Sequence, residues 1–284
     1  MYSSTPEIHK AFTTMYAGKI RLNTLNDVVE VQHNDSWNNI NESGTKSKIL
    51  SNLNKAGCLN IPKKRLDAVL TNSERYAYKF DPLESYLRQL DWDRVPRVNT
   101  ALHTYTGCDD TEHTREVSRI FFLSMSAKAL HPGCKVDTIA IFEREKGTEE
   151  TDMLSIIGKN WYTDSLKKIG SKRNYDVLKT MWLAKIPNLT DTLEKGGKVI
   201  HHYLTRQTDS YRPAYKREAV DVQKRYMYVG ETDDNTYQQY IEGSRRFMPI
   251  QIKTVNVEAL RADIDQIHAE ACYRVLNNEL WYTE

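Results

Sequence analysis

The sequence predicts an α/β protein: a core built on a mostly parallel sheet flanked by helices, preceded by a small N-terminal α+β module. Three observations support this. From residue 138 onward short apolar runs alternate with helical patterns, and strands separated by helices argue for parallel pairing. One of those strands, Thr138 to Phe142, leads through a polar loop into a helix, the outline of a phosphate-binding loop. The first eighty or so residues carry a hairpin and helices of their own.

The module comes first. Lys19 to Asn23 and Val28 to Val31 alternate around Asn26-Asp27, which predicts a hairpin with a polar turn. A helix follows over Lys46 to Lys55, stopped by Gly57, and Pro62 fits the first turn of another that carries Leu66, Val69 and Leu70 on one face. The expected module, residues 1–79, is therefore a two-stranded ribbon with two short helices, with its boundary near Tyr78 to Asp81.

Residues 80–284 form the expected main domain. Leu83, Tyr86, Leu87 and Leu90 recur at helical spacing, and a long apolar helix covers Glu112 to Leu130, ending at His131-Pro132-Gly133. Strands are expected at Thr138 to Phe142, Thr180 to Ala184 and Arg225 to Gly230. Helices are expected from Glu149, over Asp191 to Leu204, and over Val257 to Leu276.

Charged residues make up 27% of the 284 positions and the net charge is +2, so no global charge pulls the chain toward nucleic acid and any basic site is local. Mean hydropathy is -0.65. No apolar run reaches membrane-spanning length, and Met1 to Pro6 lacks the apolar core of a secretory signal, so a cytoplasmic protein with no membrane partner is expected. Cys58, Cys108, Cys134 and Cys272 lack metal-ligand spacing and read as buried thiols. His201 and His202 point to different faces of a helix, so no metal site is assigned.

The loop after the first core strand lacks phosphate chemistry. A working G-x-x-x-x-G-K loop ending in Ser or Thr wraps phosphates with glycine N–H groups, sets a lysine against the β/γ oxygens and offers a hydroxyl to Mg²⁺. With the hydroxyl placed on Thr151, Arg144 stands at the first glycine, Glu149 at the second and Glu150 at the lysine, and Gly147 survives between them. From Glu143 to Asp152 there are two positive and five negative side chains, a net -3 facing an anionic ligand. The same residues suit structure: Thr148 is a competent helix N-cap, and Glu149 and Glu150 in the first turn complement the helix dipole by roughly 0.3–1 kcal/mol each.

Several blocks then carry a family resemblance: Asp81-Pro82; Leu90 to Asp93 with Val95-Pro96-Arg97; His131 to Lys135; Leu204 to Tyr215; and Gly243 to Phe247. In order and spacing, over about residues 18–252, the chain resembles the virulence-associated protein E family. Its members are P-loop ATPases of phages, plasmids and genomic islands, related to superfamily-three and AAA+ helicases and often fused to primases. The resemblance implies ATP and Mg²⁺ as cofactors, and a ring in which tandem arginines, here Arg245 and Arg246, reach a neighbouring subunit's nucleotide. It also maps the second acidic motif onto Lys185 and Asn188, and the polar sensor onto Glu231-Thr232-Asp233. Arg206 and Arg212 are retained.

A protonated lysine does not coordinate Mg²⁺. Phosphoryl transfer rests on positioned charge, with one arginine contributing roughly 10³–10⁵ in rate, so simultaneous loss of lysine, carboxylates and sensor predicts loss of hydrolysis and of productive ATP and Mg²⁺ binding. The expected function is a non-hydrolysing member of a mobile-element replication family that retains a DNA- or partner-binding scaffold. Lys172, Arg173, Arg206, Arg212, Lys216, Arg217, Lys224 and Arg225 are candidate contacts to single-stranded or duplex DNA, interleaved with Tyr203, Tyr211 and Tyr215. Solvated edges and pairs with Asp209, Glu218 and Asp221 are the plainer alternative for these residues. Two other functions stay open: an assembly or interference protein that joins an active homologous ring, and residual ATPase activity. Trp92, Trp161, Trp182 and Tyr226 read as core.

Overall fold

The computed structural model describes residues 2–146, 152–171, 174–212, 218–241 and 244–282, with the backbone alone at 197–199, 201, 204 and 205. The chain divides into two compact units, Met1–Ser85 and Tyr86–Glu284.

The first unit is larger in structure than the ribbon and two helices expected. Helix α1 (Thr5–Met15) opens it, with Ser4 and Glu7 forming a reciprocal capping box. Strands β1 (Ile20–Asn23), β2 (Val28–His33), β3 (Ser36–Asn39) and β4 (Tyr78–Phe80) follow the order β3-β2-β1-β4. The expected hairpin is β1–β2, with Asp27 at φ +60° in its turn. Helices α2 (Ser43–Lys55) and α3 (Lys63–Thr71) complete the unit, with Pro62 as the N-cap of α3 rather than inside it. Ile8, Phe12, Ile20, Val31, Ile49, Leu53, Leu66 and Val69 share one core, so α1 supplies a face that neither hairpin strand closes alone.

In the second unit α4 (Pro82–Gln89, which spans the division) and α5 (Ala101–Thr106) lead to α6 (Glu112–Leu130), which matches the sequence expectation. The sheet comprises β5 (Ile139–Glu143), β6 (Tyr162–Thr163), β7 (Leu183–Lys185), β10 (Met227–Thr232) and β11 (Phe247–Gln251), in the order β11-β5-β10-β7-β6. Every pairing in it is parallel. Helix α7 (Met153–Gly158) follows β5, and Thr148 and Glu149, where the expected helix begins, lie outside the described residues. Short α8 (Tyr175–Leu178), then α9 (Leu189–Thr205), a hairpin of β8 (Thr208–Tyr211) and β9 (Val220–Gln223), and α10 (Val257–Leu276) complete the unit.

Alternation along the strands sorts side chains into two layers. Ile139, Ile141, Tyr226 and Tyr228 pack with Leu189, Leu193 and Ile200 of α9. On the other face Phe142 meets Phe121 of α6, and Trp182 donates its indole N–H to the Met125 carbonyl at 2.6 Å. A sheet covered on both sides explains why β5 and β10 read as unbroken apolar runs. Gly230 is needed where α9 crosses: a Cβ there would lie 3.0 Å from Ile141 and 3.2 Å from Leu189.

Candidate functional site

Parallel strands bring their carboxyl ends to one edge, where ligands of open α/β sheets bind. Here that edge carries a buried ion triad. Lys185 pairs in register with Val229, and Phe142 pairs with Glu231. Because side chains alternate with a period of two, Arg144, Lys185 and Glu231 fall on one face. Glu231 Oε1 lies 3.1 Å from Arg144 Nε, and its Oε2 lies 2.7 Å from Lys185 Nζ. The three side chains are only 10%, 3% and 16% exposed for Arg144, Glu231 and Lys185. Two cations thus share one carboxylate, and the residual charge of the cluster is +1.

This arrangement ties together positions that the sequence reading treats as separate losses. Arg144, at the expected first glycine, and Lys185, at the expected acidic position, both pair with Glu231, which the sequence reading names only as part of the expected sensor. The available signal is charge complementarity between the ends of three neighbouring strands. Gly147, Glu149, Glu150 and Thr151 lie outside the described residues, so the expected closure of the helix terminus by Glu149 and Glu150 lies there as well.

Asn188 serves α9. At φ +39° it is the helix N-cap, its Oδ1 accepting from Asp191 N at 3.5 Å and its Nδ2 donating to Asp191 Oδ2 at 3.0 Å. Asp233 is exposed in the turn after β10, and the neighbouring Asp234 holds that turn by accepting from Thr236 N at 2.9 Å and from Thr190 Oγ1 at 3.1 Å. Glu143 accepts from Tyr237 OH at 2.6 Å and Gln238 Nε2 at 2.8 Å.

The basic segment folds into the β8–β9 hairpin and a buried network at its base. Arg206 donates to Asp209 at 2.6 Å and to Tyr175 OH at 2.9 Å, and Tyr226 OH donates to Asp209 at 2.7 Å. Arg206 thereby takes the intramolecular alternative. Lys224 corrects the expectation of a nucleic-acid contact: it is 3% exposed, donates to the Tyr203 carbonyl at 2.9 Å and lies over the Tyr226 and Tyr228 rings. Burial, with Lys128 nearby, pushes its ammonium down to about 7. Arg225 is half-buried, and burial lowers its pKa. Arg212 is exposed at the end of β8, whereas Lys172, Arg173, Lys216 and Arg217 lie outside the described residues.

Arg245 is exposed, and Arg246 lies 3.9 Å from Asp137, before the first residue of β11. They sit at the opposite edge of the sheet from the triad. Of the aromatics expected in the core, Trp182 and Tyr226 are buried, while Trp92 and Trp161 are half-buried. Cys58, Cys108 and Cys272 are buried and Cys134 is half-buried, all as free thiols. Among the described residues no helix is long and apolar enough to cross a membrane.

The fold and this edge define a class: an all-parallel α/β core with its polar cluster at the carboxyl ends of the strands, preceded by a small α+β unit. The chain belongs to the virulence-associated protein E-like domain family, whose match spans residues 87–284. Among solved structures it is similar to the apo C-terminal region of NrS-1, with a TM-score of 0.57 and 9% identity over 94% of this chain and 69% of that one. A second, A-form apo structure of that region gives a TM-score of 0.54 and 11% identity over 92% of this chain and 68% of that one. At such identities the likeness is one of fold. No curated protein matches the chain.

Proposed function

We propose that this chain is a non-hydrolysing member of its helicase-like family, whose remaining work is to bind DNA or a replication partner. The observation that carries the reading is the triad of Arg144, Glu231 and Lys185. Among the described residues the donor set does not suit Mg²⁺: an ammonium stands at the expected acidic position, Asn188 is spent on a helix cap, and the one carboxylate at the centre already pairs with two cations. Those cations are held by Glu231 rather than directed at a phosphate.

Binding is assigned to the β8–β9 hairpin, where Arg212 is exposed just after β8. Three cations in its sequence, Arg212, Lys216 and Arg217, interleaved with as many acids, give a weak, salt-sensitive, sequence-tolerant contact to the phosphate backbone.

Two titrations test the reading. Thermal unfolding with Mg·ATP is expected to show no shift, whereas a ligand at about 100 times its dissociation constant would stabilise by about 2.7 kcal/mol; such a shift, or steady phosphate release, sinks the silent site. Anisotropy of labelled single-stranded and duplex DNA is expected to report binding that collapses between low and moderate salt. No binding at low salt removes the DNA half and leaves a protein partner.

A second reading is supported by Arg245, which is exposed and makes no ion pair among the described residues. A chain that offers this arginine to a neighbour, without a nucleotide site of its own, can join an active homologous ring and slow it. Mixing with an intact relative and measuring that relative's ATPase rate tests this: Arg245→Ala is expected to relieve the inhibition.

A further inference from the structure

Residues 91–98, between α4 and α5, form a surface loop fixed from several sides. Asp93 accepts from Val95 N at 2.9 Å and holds Arg97 through both guanidinium nitrogens at 2.8 Å each. The Trp92 indole donates to the Val95 carbonyl at 3.1 Å, and Gln266 of α10 accepts from Asp93 N at 2.9 Å. Glu270 takes the N–H groups of Arg97 and Val98. None of these bonds involves the side chain of Arg94.

Arg94 is nevertheless the strained residue of the loop, at φ +68°. A non-glycine side chain there costs energy, and such outliers persist where surroundings impose them and cluster at ligand clamps. The side chain is exposed, stacks 5.3 Å from the Trp92 ring centroid and 4.5 Å from that of Tyr273, and makes no ion pair among the described residues. Around it Val95 is 51% exposed, Tyr273 40% and Leu276, one helical turn beyond Tyr273, 45%. Trp, Tyr and Arg at the centre of an apolar patch are the composition of an interface hot spot.

The charges nearby select the partner. Arg97 and Arg274 are neutralised internally by Asp93, Glu270 and Glu279, and Asp263 stands 3.9 Å from Arg97. A polymer of phosphates would meet these acids, whereas a single carboxylate would meet Arg94 alone. A guanidinium stacked on rings presents its N–H edge in a fixed plane, which suits a two-pronged bond to a carboxylate.

From this geometry we infer that Arg94, Trp92 and Tyr273, with Val95 and Leu276, form a docking site for a partner polypeptide segment that presents one carboxylate flanked by apolar side chains. The site is separate from the β8–β9 hairpin and does not depend on DNA binding there.

The test uses the full chain and three probes: acetyl-Leu-Asp-Phe-amide, its Asn counterpart, and oligothymidine, followed through the Trp92 indole N–H resonance. Saturable shifts at millimolar Asp peptide are expected, with the Asn peptide weaker by about tenfold, as loss of a charge-assisted bond implies. Arg94→Gly relieves the backbone strain, so it is expected to fold at least as stably as the parent and to lose the response; Arg94→Lys is expected to retain only part of it. No saturable shift with the Asp peptide, equal response to both peptides, an unchanged response in Arg94→Gly, or a response to oligothymidine alone overturns the inference. None of these outcomes bears on Mg·ATP or on the hairpin.

Discussion

Glu231 stands 2.7 Å from Lys185, with both side chains almost wholly enclosed and Arg144 on the carboxylate's other oxygen. Removing one member of a buried ion cluster costs more than the pair contributes, because a charge is stranded without water. Which member is removed decides how much.

Glu231→Leu removes the buried carboxylate that Arg144 and Lys185 share and is expected to cost about 3–5 kcal/mol in urea unfolding. Lys185→Met leaves a balanced Arg144–Glu231 pair and should cost clearly less. Combining Glu231→Leu with Lys185→Met should recover part of the loss, since one cation fewer is deprived of this carboxylate. Equal costs for the two single variants would show that the carboxylate is not the hub.

Burial holds the Lys224 ammonium near 7, against an ordinary 10.5, with Lys128 and Arg206 pushing the same way and Asp209 opposing. Between those values the unfolded chain keeps the proton and the folded chain releases it. Stability from this group therefore rises as pH climbs from about 7 toward 10.5 and is level below 7. Denaturant midpoints across that range should show the rise, and Lys224→Met should flatten it.

Asn188 caps α9 through a 3.5 Å bond, which is long. Asn188→Ala is therefore expected to cost toward the low end of about 0.5–2 kcal/mol. The loss should be the same with and without Mg²⁺. A cost that appears only in Mg²⁺ would return this residue to the metal role its family position implies.

Much of the main domain was legible because its elements follow single physical rules. Helix α6, with a long apolar period closed by His131-Pro132-Gly133, and α10 matched their sequence limits. The alternation of apolar runs with helices led to the parallel sheet. What escaped depends on partners distant in sequence. Strand β4 has three residues and exists because β1 offers an open edge. Strand β11 contains Pro249, which is tolerated because this is an edge strand. Helix α1 has only Ile8 and Phe12 as buried anchors and is secured by its capping box.

The candidate site was legible residue by residue and not as an ensemble. Arg144 and Lys185 are conspicuous as substitutions in a phosphate-binding pattern, but that Glu231 lies between them follows only from strand order and register. Lys224 was misread because a lysine in a basic, tyrosine-rich stretch carries no mark of being buried. Trp92 drew notice as core, whereas its half-exposed ring supports the Arg94 surface.

The shared carboxylate of Glu231 also constrains how this chain can change over generations. Restoring an acid at Lys185 sets two carboxylates beside one guanidinium, and exchanging Glu231 alone removes the carboxylate both cations share, whereas a glycine at Arg144 leaves the Lys185–Glu231 pair in place. The first two changes each cost folding stability, because a buried charge is left without its match. Reversal toward the family's pattern is therefore ordered by folding stability, with Arg144 the position that can change first.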